Sequence, residues 1–240
     1  MMRKAIVIGA TSGIGKALAE FLLLNGYVVG ITGRRVEMLK SLKEKYSDKI
    51  FYSQMDVQEL TAIESICNNL VHQLGGLDVL VISAGIGDEN KSLDFSIENN
   101  VIKTNIQGFT CLANWGMNHF KKQGHGHLVN ISSIAGLMGN GDAPSYNATK
   151  AFQINYLEGL RLHGDKSGAE IYVTDVRPGF VDTAMAKGEG LFWVAPVEKA
   201  AHQIFTAIKG KKKVVYITKR WRMIGFLLKM LPYSILKKVS

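Results

Sequence analysis

Short apolar runs alternate with longer amphipathic stretches along almost the whole chain. Runs at Ala5–Ile8, Val28–Thr32, Ile50–Gln54, Val79–Ser83, His127–Ser132, Ile171–Val176 and Val214–Thr218 read as seven strands. Between them, segments near 14–24, 36–46, 59–74, 97–120, 146–164 and 197–208 carry apolar residues at helical spacing. Continuously apolar strands need cover on both faces, and the intervening helices supply it. The pattern therefore predicts an α/β fold: one doubly wound parallel sheet with helices on both sides. Right-handed crossovers then give the strand order 3-2-1-4-5-6-7. No repeat, low-complexity tract or linker interrupts residues 1–218, which read as one domain. Residues 219–240 read as a C-terminal extension of different character.

The first apolar run leads into Gly9-Ala10-Thr11-Ser12-Gly13-Ile14-Gly15, and the helical segment Lys16–Leu24 follows. Strand, glycine turn and helix form the context in which a Rossmann-type sheet binds a dinucleotide. Glycines let the backbone turn tightly and approach a pyrophosphate, whose charge the helix N-terminus favours. The spacing is GxxxGxG, not the commoner GxGxxG.

Tyr146 and Lys150 lie four residues apart, with Ser133 thirteen residues upstream of the tyrosine. On a helix this places a phenol and an ammonium on one face. A free tyrosine has a pKa near ~10, and a neighbouring cation lowers it toward the working range of an acid catalyst. By its distance to the tyrosine Ser133, and not Ser132, belongs to this group; Ser132 is expected to point into the sheet.

Over roughly residues 3–218 the chain resembles the short-chain dehydrogenase/reductase family. Five motifs fall in that family's order: Gly9/Gly13/Gly15; Asp56-Val57; Asn105 within Thr104–Gly108; Ser133 with Tyr146 and Lys150; and Arg177-Pro178-Gly179 followed by Thr183. Two departures are Ile8, where the family often has threonine, and Ser83 in Ser83-Ala84-Gly85, where asparagine is usual. The resemblance implies that Tyr146 is the general acid and that Lys150 lowers its pKa and holds the nicotinamide ribose. Ser133 would polarise the substrate carbonyl, and Asn105 would anchor a water that passes protons to Lys150. Thr11, Ser12 and Ile14 would join the glycines at the pyrophosphate. Asp56 and Val57 would flank the adenine, with Asp56 as a helix cap the plainer reading. Ser83, Ala84 and Gly85 would line the cofactor site. Pro178, Gly179, Val181 and Thr183 would border the nicotinamide.

Proteins of this fold that prefer NAD carry an acid at the end of the second strand. Here that end reads Gly33-Arg34-Arg35. Guanidinium groups bind a 2′-phosphate that an acid would repel, so the expected cofactor is NADP(H), with Arg34 the main contact and Arg35 assisting. Ala184–Ala195 should form a substrate lid containing Met185, Leu191, Phe192 and Trp193, with Gly188 and Gly190 as hinges. Packing of Phe192 and Trp193 into the core or a subunit interface is the alternative.

Of 240 residues 47% are apolar, which suits one domain with a large core. Cys67 and Cys111 suggest no disulfide framework and fit a reducing compartment. The first strand follows Met1-Met2-Arg3-Lys4 directly, so a signal peptide is not expected and a cytoplasmic location is. The formal net charge of +9 is concentrated at one end: residues 209–240 hold ten lysines and arginines and no acid, leaving 19 basic and 20 acidic residues in 1–208. Within the extension Trp221, Ile224, Leu228 and Leu231 share a helical face that Pro232 ends. Its longest uncharged run is far below the ~20 residues that span a bilayer. It reads either as a helix lying on an anionic membrane or as one packing on its own body or on a twin subunit. Aromatic platforms and motifs for nucleic acid are lacking, and no metal is expected.

Together these point to NADPH-dependent reduction of a ketone on a lipophilic small molecule, of the kind that family members perform on fatty-acyl, sphingoid or steroid ketones. Oxidation of an alcohol in the reverse direction, or a non-catalytic NADPH-binding sensor or scaffold, are the alternatives. The resemblance also implies a homodimer or homotetramer assembled through the helices at 97–120 and 146–164.

Overall fold

The computed structural model describes residues 2–186 and 192–230. Seven strands, β1 (Lys4–Ile8), β2 (Val28–Gly33), β3 (Ile50–Gln54), β4 (Val79–Ile82), β5 (His125–Ile131), β6 (Glu170–Pro178) and β7 (Val214–Ile217), form one sheet in the order β3-β2-β1-β4-β5-β6-β7. Every pairing is parallel, with Ile6 opposite Gly30 on one side and Leu80 on the other.

Alternation along β1 explains the two cores. Ala5 and Val7 face one layer, where Leu18 and Leu22 of α1 (Gly13–Leu24), Leu39 of α2 (Val36–Tyr46) and Ile204 of α7 (Val197–Lys209) are buried. Ile6 and Ile8 face the other. There they meet Leu70 of α3 (Leu60–Leu74), Phe109 of α5 (Phe109–Gln123) and Leu157 of α6 (Pro144–Lys166). Each such side chain stabilises the sheet by about 1.5–3 kcal/mol. That fixes the C-terminal strand ends, where the chain order reverses between β1 and β4 and where sheets of this kind bind ligands.

The helix expected at 97–120 is not one regular helix. It is α4 (Phe95–Ile102), whose N-cap Asp94 accepts a 2.8 Å bond from Ser96 N, then a π-helical stretch over Lys103–Gly108, then α5. The wider turn re-aims the side chains from Thr104 to Gln107 and loosens the backbone pairing around Asn105. A periodicity argument cannot see a single turn of this kind.

The last described helix, α8 (Trp221–Met230), lies against the body. Trp221 is only 2% exposed. Its ring centroid lies 5.4 Å from Phe180, 5.1 Å from Phe192 and 5.8 Å from Trp193. A side chain at Gly179 would run into its indole, and one at Gly225 would meet Leu137 and Tyr216. Met223, Phe226 and Leu227 remain exposed on the outer side. The helix is therefore apolar on both sides, and its tryptophan edge is the one docked on the protein. The Leu228 side chain, Leu231 and Pro232 of the expected face lie outside what is described.

Trp221→Ala should undock α8 without unfolding the sheet. Truncating a buried tryptophan costs about 3–5 kcal/mol, and local release of one terminal helix limits the global share of that loss. Hydrogen exchange should speed up over 219–230 and around Phe180, with β1 and β4 amides unchanged. Unchanged exchange over 219–230 would show that the indole does not hold the helix.

Candidate active site

The glycine turn after β1 is shaped by what cannot fit there. Gly9 has φ +86°, and its N–H and that of Ala10 donate to Thr32 O at 3.0 and 2.9 Å. A Cβ on Gly9 would lie 2.6 Å from Ala84 N, and one on Gly15 would run into the Gly9 carbonyl. Ser12 caps α1 in an extended conformation, with no side-chain cap bond and no acid in the first turn. The amides of Gly13, Ile14 and Gly15 thus open a positive helix end beside the turn. At the end of β2 a Cβ on Gly33 would come 2.5 Å from the Thr11 methyl, so any side chain there would have to displace Thr11. The Arg35 guanidinium donates to Thr11 Oγ1 at 2.8 Å and to Ser12 Oγ at 2.7 Å. Arg34 is exposed beside it at the edge of the same cleft. These features fit a phosphorylated dinucleotide: a cradle without side chains, a helix N-terminus and two guanidinium groups at one end.

The chemistry-bearing side chains converge from four elements. Lys150 of α6 is 4% exposed. Its ammonium donates to Ile131 O at the end of β5 at 3.0 Å and to Gln153 Oε1 at 3.1 Å. Its Nζ stands 5.8 Å from the Tyr146 ring centroid. Burial pulls the ammonium down to about 8, with the Asp175 carboxylate opposing. Asp175, fully buried on β6, is held by Arg177 Nε at 2.6 Å and by the Ser132 hydroxyl, so Ser132 does point into the sheet.

Tyr146 sits at the cleft wall. Burial pushes its phenol up, and the Ser133 hydroxyl partly offsets this. The sequence suggested that Lys150 would lower the tyrosine. In the structure the ammonium lies near the ring, 5.8 Å from its centroid, and burial is the larger influence on the phenol. Ser133 Oγ accepts from Ala135 N at 3.1 Å, which fixes the hydroxyl at the start of a short 3₁₀ turn.

Asn105 lies behind this group, fully buried in the π stretch. Its Oδ1 accepts from Ile86 N at 3.0 Å, while its Nδ2 donates to Ile86 O at 2.8 Å and Thr149 Oγ1 at 3.1 Å. The side-chain amide is thus occupied in clamping the loop after β4.

One cleft of about 750 Å³ joins these parts, within the usual size of a small-molecule site. Its walls include Gly9, Thr11, Ser12, Gly13, Ile14, Arg34, Arg35, Asp56, Val57, Ser83, Ala84, Gly85, Ser133, Tyr146, Lys150, Pro178, Gly179, Val181, Thr183 and Met185. Gly15 and Asn105 support the cleft from behind and do not line it. Asp56 Oδ1 accepts from Gln58 N at 3.0 Å, so it both borders the cleft and shapes the turn before α3.

The loop after β6 is pinched at its base. Asp182 N donates to Ala195 O at 2.9 Å and Ala195 N to Phe180 O at 3.0 Å. Met185 faces the cleft, whereas Phe192 and Trp193 stack on Trp221 away from its wall. The expected lid thus divides: Met185 reaches the cleft, and the two aromatic residues belong to the cluster under α8. Leu191, Gly188 and Gly190 lie outside the described residues.

Sequence reasoning missed two contributors. Gly87 packs on Tyr146, where a Cβ would lie 2.6 Å from Cδ2. Its place in Ala84-Gly85-Ile86-Gly87 hinted at a close approach without naming the partner. Gln153 touches both Lys150 and Asn105, and its only sequence signal is a polar residue one helical turn beyond the lysine.

A family profile described as short chain dehydrogenase matches residues 3–191. The NADP-dependent 3-hydroxy acid dehydrogenase YdfG of Escherichia coli O6:H1 is 34% identical over 179 residues, covering 73% of this chain and 71% of its own. An uncharacterized oxidoreductase of Staphylococcus haemolyticus is 32% identical over 188 residues, covering 77% of this chain and 80% of its own. Among solved structures, ElxO with NADP bound has a TM-score of 0.81 at 28% identity, covering 90% of this chain and 97% of its own.

The buried ammonium makes a stability prediction whose sign can be worked out. Lys150 in the folded state lies below its ordinary 10.5, at about 8. Between those values the unfolded chain binds more protons, so this residue raises stability as pH rises. Urea unfolding of wild type and Lys150→Met across pH 7–10 should show the wild type gaining on the variant by up to about 3 kcal/mol. Parallel curves would mean that the lysine is not depressed.

Proposed function

The chain belongs to the short-chain dehydrogenase family, and on that premise we propose that it reduces a ketone on a lipophilic substrate, with the proton supplied by Tyr146. It is an oxidoreductase of hydroxyl and carbonyl groups that uses NADP(H). The observation that carries the finer reading is the composition of the cleft beside the catalytic group. Ile134, Met138, Ala143, Phe180, Ala184 and Met185 surround Ser133 and Tyr146 with apolar surface.

The Gly9–Gly15 turn would hold the pyrophosphate of NADP(H), and Arg34 and Arg35 would hold its 2′-phosphate. When bound, NADPH supplies the hydride. Ser133 donates a hydrogen bond to the carbonyl oxygen, and Tyr146 gives that oxygen its proton. Lys150 keeps a positive charge beside the tyrosine, which favours the phenolate left behind. Asn105 holds Ile86, and through the neighbouring Gly87 the backbone on which the Tyr146 ring rests. General acid assistance of this kind contributes ~10²–10⁴ in rate.

Residues 219–240 act in this reading as a basic extension that rests on an anionic membrane surface. Met223, Phe226 and Leu227 form the exposed apolar side of α8, with Lys219, Arg220 and Arg222 exposed around it. Among the described residues no helix is long and apolar enough to cross a membrane. Copies of the chain associate through the outer faces of α5 and α6, where Phe152 and Tyr156 stack at 5.4 Å. The free thiols Cys67 and Cys111 fit a reducing, cytoplasmic setting.

Two measurements test this. NADPH consumption should rise with ketone chain length and rise again with anionic liposomes. No NADPH consumption with any ketone of the series, together with NADP⁺ reduction by 3-hydroxy acids, would assign this chain the activity of its relative and overturn the lipophilic reading. Tyr146→Phe should lower kcat at least ~10²-fold with NADPH affinity within a few-fold of wild type. A variant that keeps its turnover would remove Tyr146 from the acid role.

A further inference from the structure

Burying an ammonium requires that its N–H groups find acceptors, and Lys150 finds one of them on its own helix. Gln153 is 1% exposed and every polar atom of its side chain is engaged. Its Oε1 accepts from Lys150 Nζ at 3.1 Å and from Asn130 Nδ2 of β5 at 3.1 Å. Its Nε2 donates to the backbone carbonyl of Asn105 at 2.8 Å. That carbonyl belongs to the π stretch over Lys103–Gly108. One amide therefore joins β5, α6 and the π stretch at the point where Lys150 turns toward the cleft.

We propose that Gln153 is a positioning residue for Lys150, clamping the ammonium to the Asn105 backbone in the place where the family resemblance puts a water. The clamp has two consequences. A neutral oxygen on the ammonium favours its charged form against the cost of burial, so Lys150 keeps its proton to higher pH than burial alone allows. An amide neither gains nor loses a proton in this range, so protons do not pass from Lys150 toward Asn105 through it. They reach the lysine from the cleft side. The ionisable groups facing Lys150 are Tyr146 on its own helix and Asp175 on β6, the latter fixed by Arg177 and Ser132. Neither bonds Gln153, so removing the amide leaves both in place.

The proposal rests on the catalytic reading of Lys150, yet it can be tested without turnover. Lysine labelled with ¹³C at Cε reports each ammonium by NMR, and Lys150→Met assigns the signal. In Gln153→Met, which keeps the volume and loses the amide, the Lys150 midpoint should fall by about one pH unit. Gln153→Asn, whose amide stops one methylene short, should shift it the same way and provides the test if the methionine variant does not fold. In assays with the ketone that the wild type reduces, kcat should fall about tenfold while the KM for NADPH stays within twofold. A merely structural glutamine would lower the unfolding temperature and leave the midpoint where it is in wild type. That result in the folded variants overturns the proposal, whatever the substrate proves to be.

Discussion

A single buried charge organises this molecule. The Lys150 ammonium is removed from water, which costs several kcal/mol unless its donors are met and opposite charge lies near. Ile131 O at the end of β5 and Gln153 Oε1 on α6 meet two of its donors. The nearest carboxylate, Asp175, sits one strand away and is itself neutralised by Arg177. The lysine is therefore held by dipoles more than by an ion pair. It stays depressed, at about 8, and poised to exchange a proton close to neutral pH. A direct salt bridge would have stabilised the fold and fixed the proton. The arrangement trades stability for a charge that can change, as active sites commonly do.

The rest of the site follows from the sheet. Parallel strands end together, so β1, β2, β4, β5 and β6 deliver their C-terminal residues to one rim. At β1 and β2 that rim is kept clear of side chains, because Gly9, Gly15 and Gly33 each face an atom that a Cβ would displace. At β5 and β6 it carries Ser133, Pro178 and Gly179. The positive end therefore lies at Arg34 and Arg35 and the proton-transferring end at Tyr146, with the sheet setting the distance between them. No flexible element has to choose that distance.

What the sequence revealed and what it hid divide along physical lines. The glycine turn, Tyr146 with Lys150, and the arginines after β2 were legible because each is a local arrangement, set by a few residues of one turn or one helix. The seven strands were legible because a strand buried on both faces must be apolar throughout. The π stretch was not, since one widened turn leaves the spacing of apolar residues almost unchanged. Gln153, Gly87 and the docking of Trp221 were hidden for another reason. Each depends on a partner more than forty residues away, or on a space that only the folded chain defines. For Phe192 and Trp193 the sequence left lid and packing roles both open, and the Trp221 indole that they meet is not visible from spacing.

That aromatic cluster bears on how specificity is built. The family profile ends at residue 191, while Trp221 lies beyond it and touches Gly179 and Phe180, which border the cleft. The part of the chain within the profile thus holds the glycine cradle, Tyr146 and Lys150. The segment beyond the profile supplies the packing behind the substrate wall. Phe180 stands between the two, one face on the cleft and one edge on the Trp221 indole. Of the rings around Trp221, Phe180 is the one that also lines the cleft, and its centroid lies 5.4 Å from the indole. Lys150 is held by Ile131 O and Gln153, neither of which belongs to this cluster, so the packing behind the apolar wall is set apart from the packing around the buried ammonium.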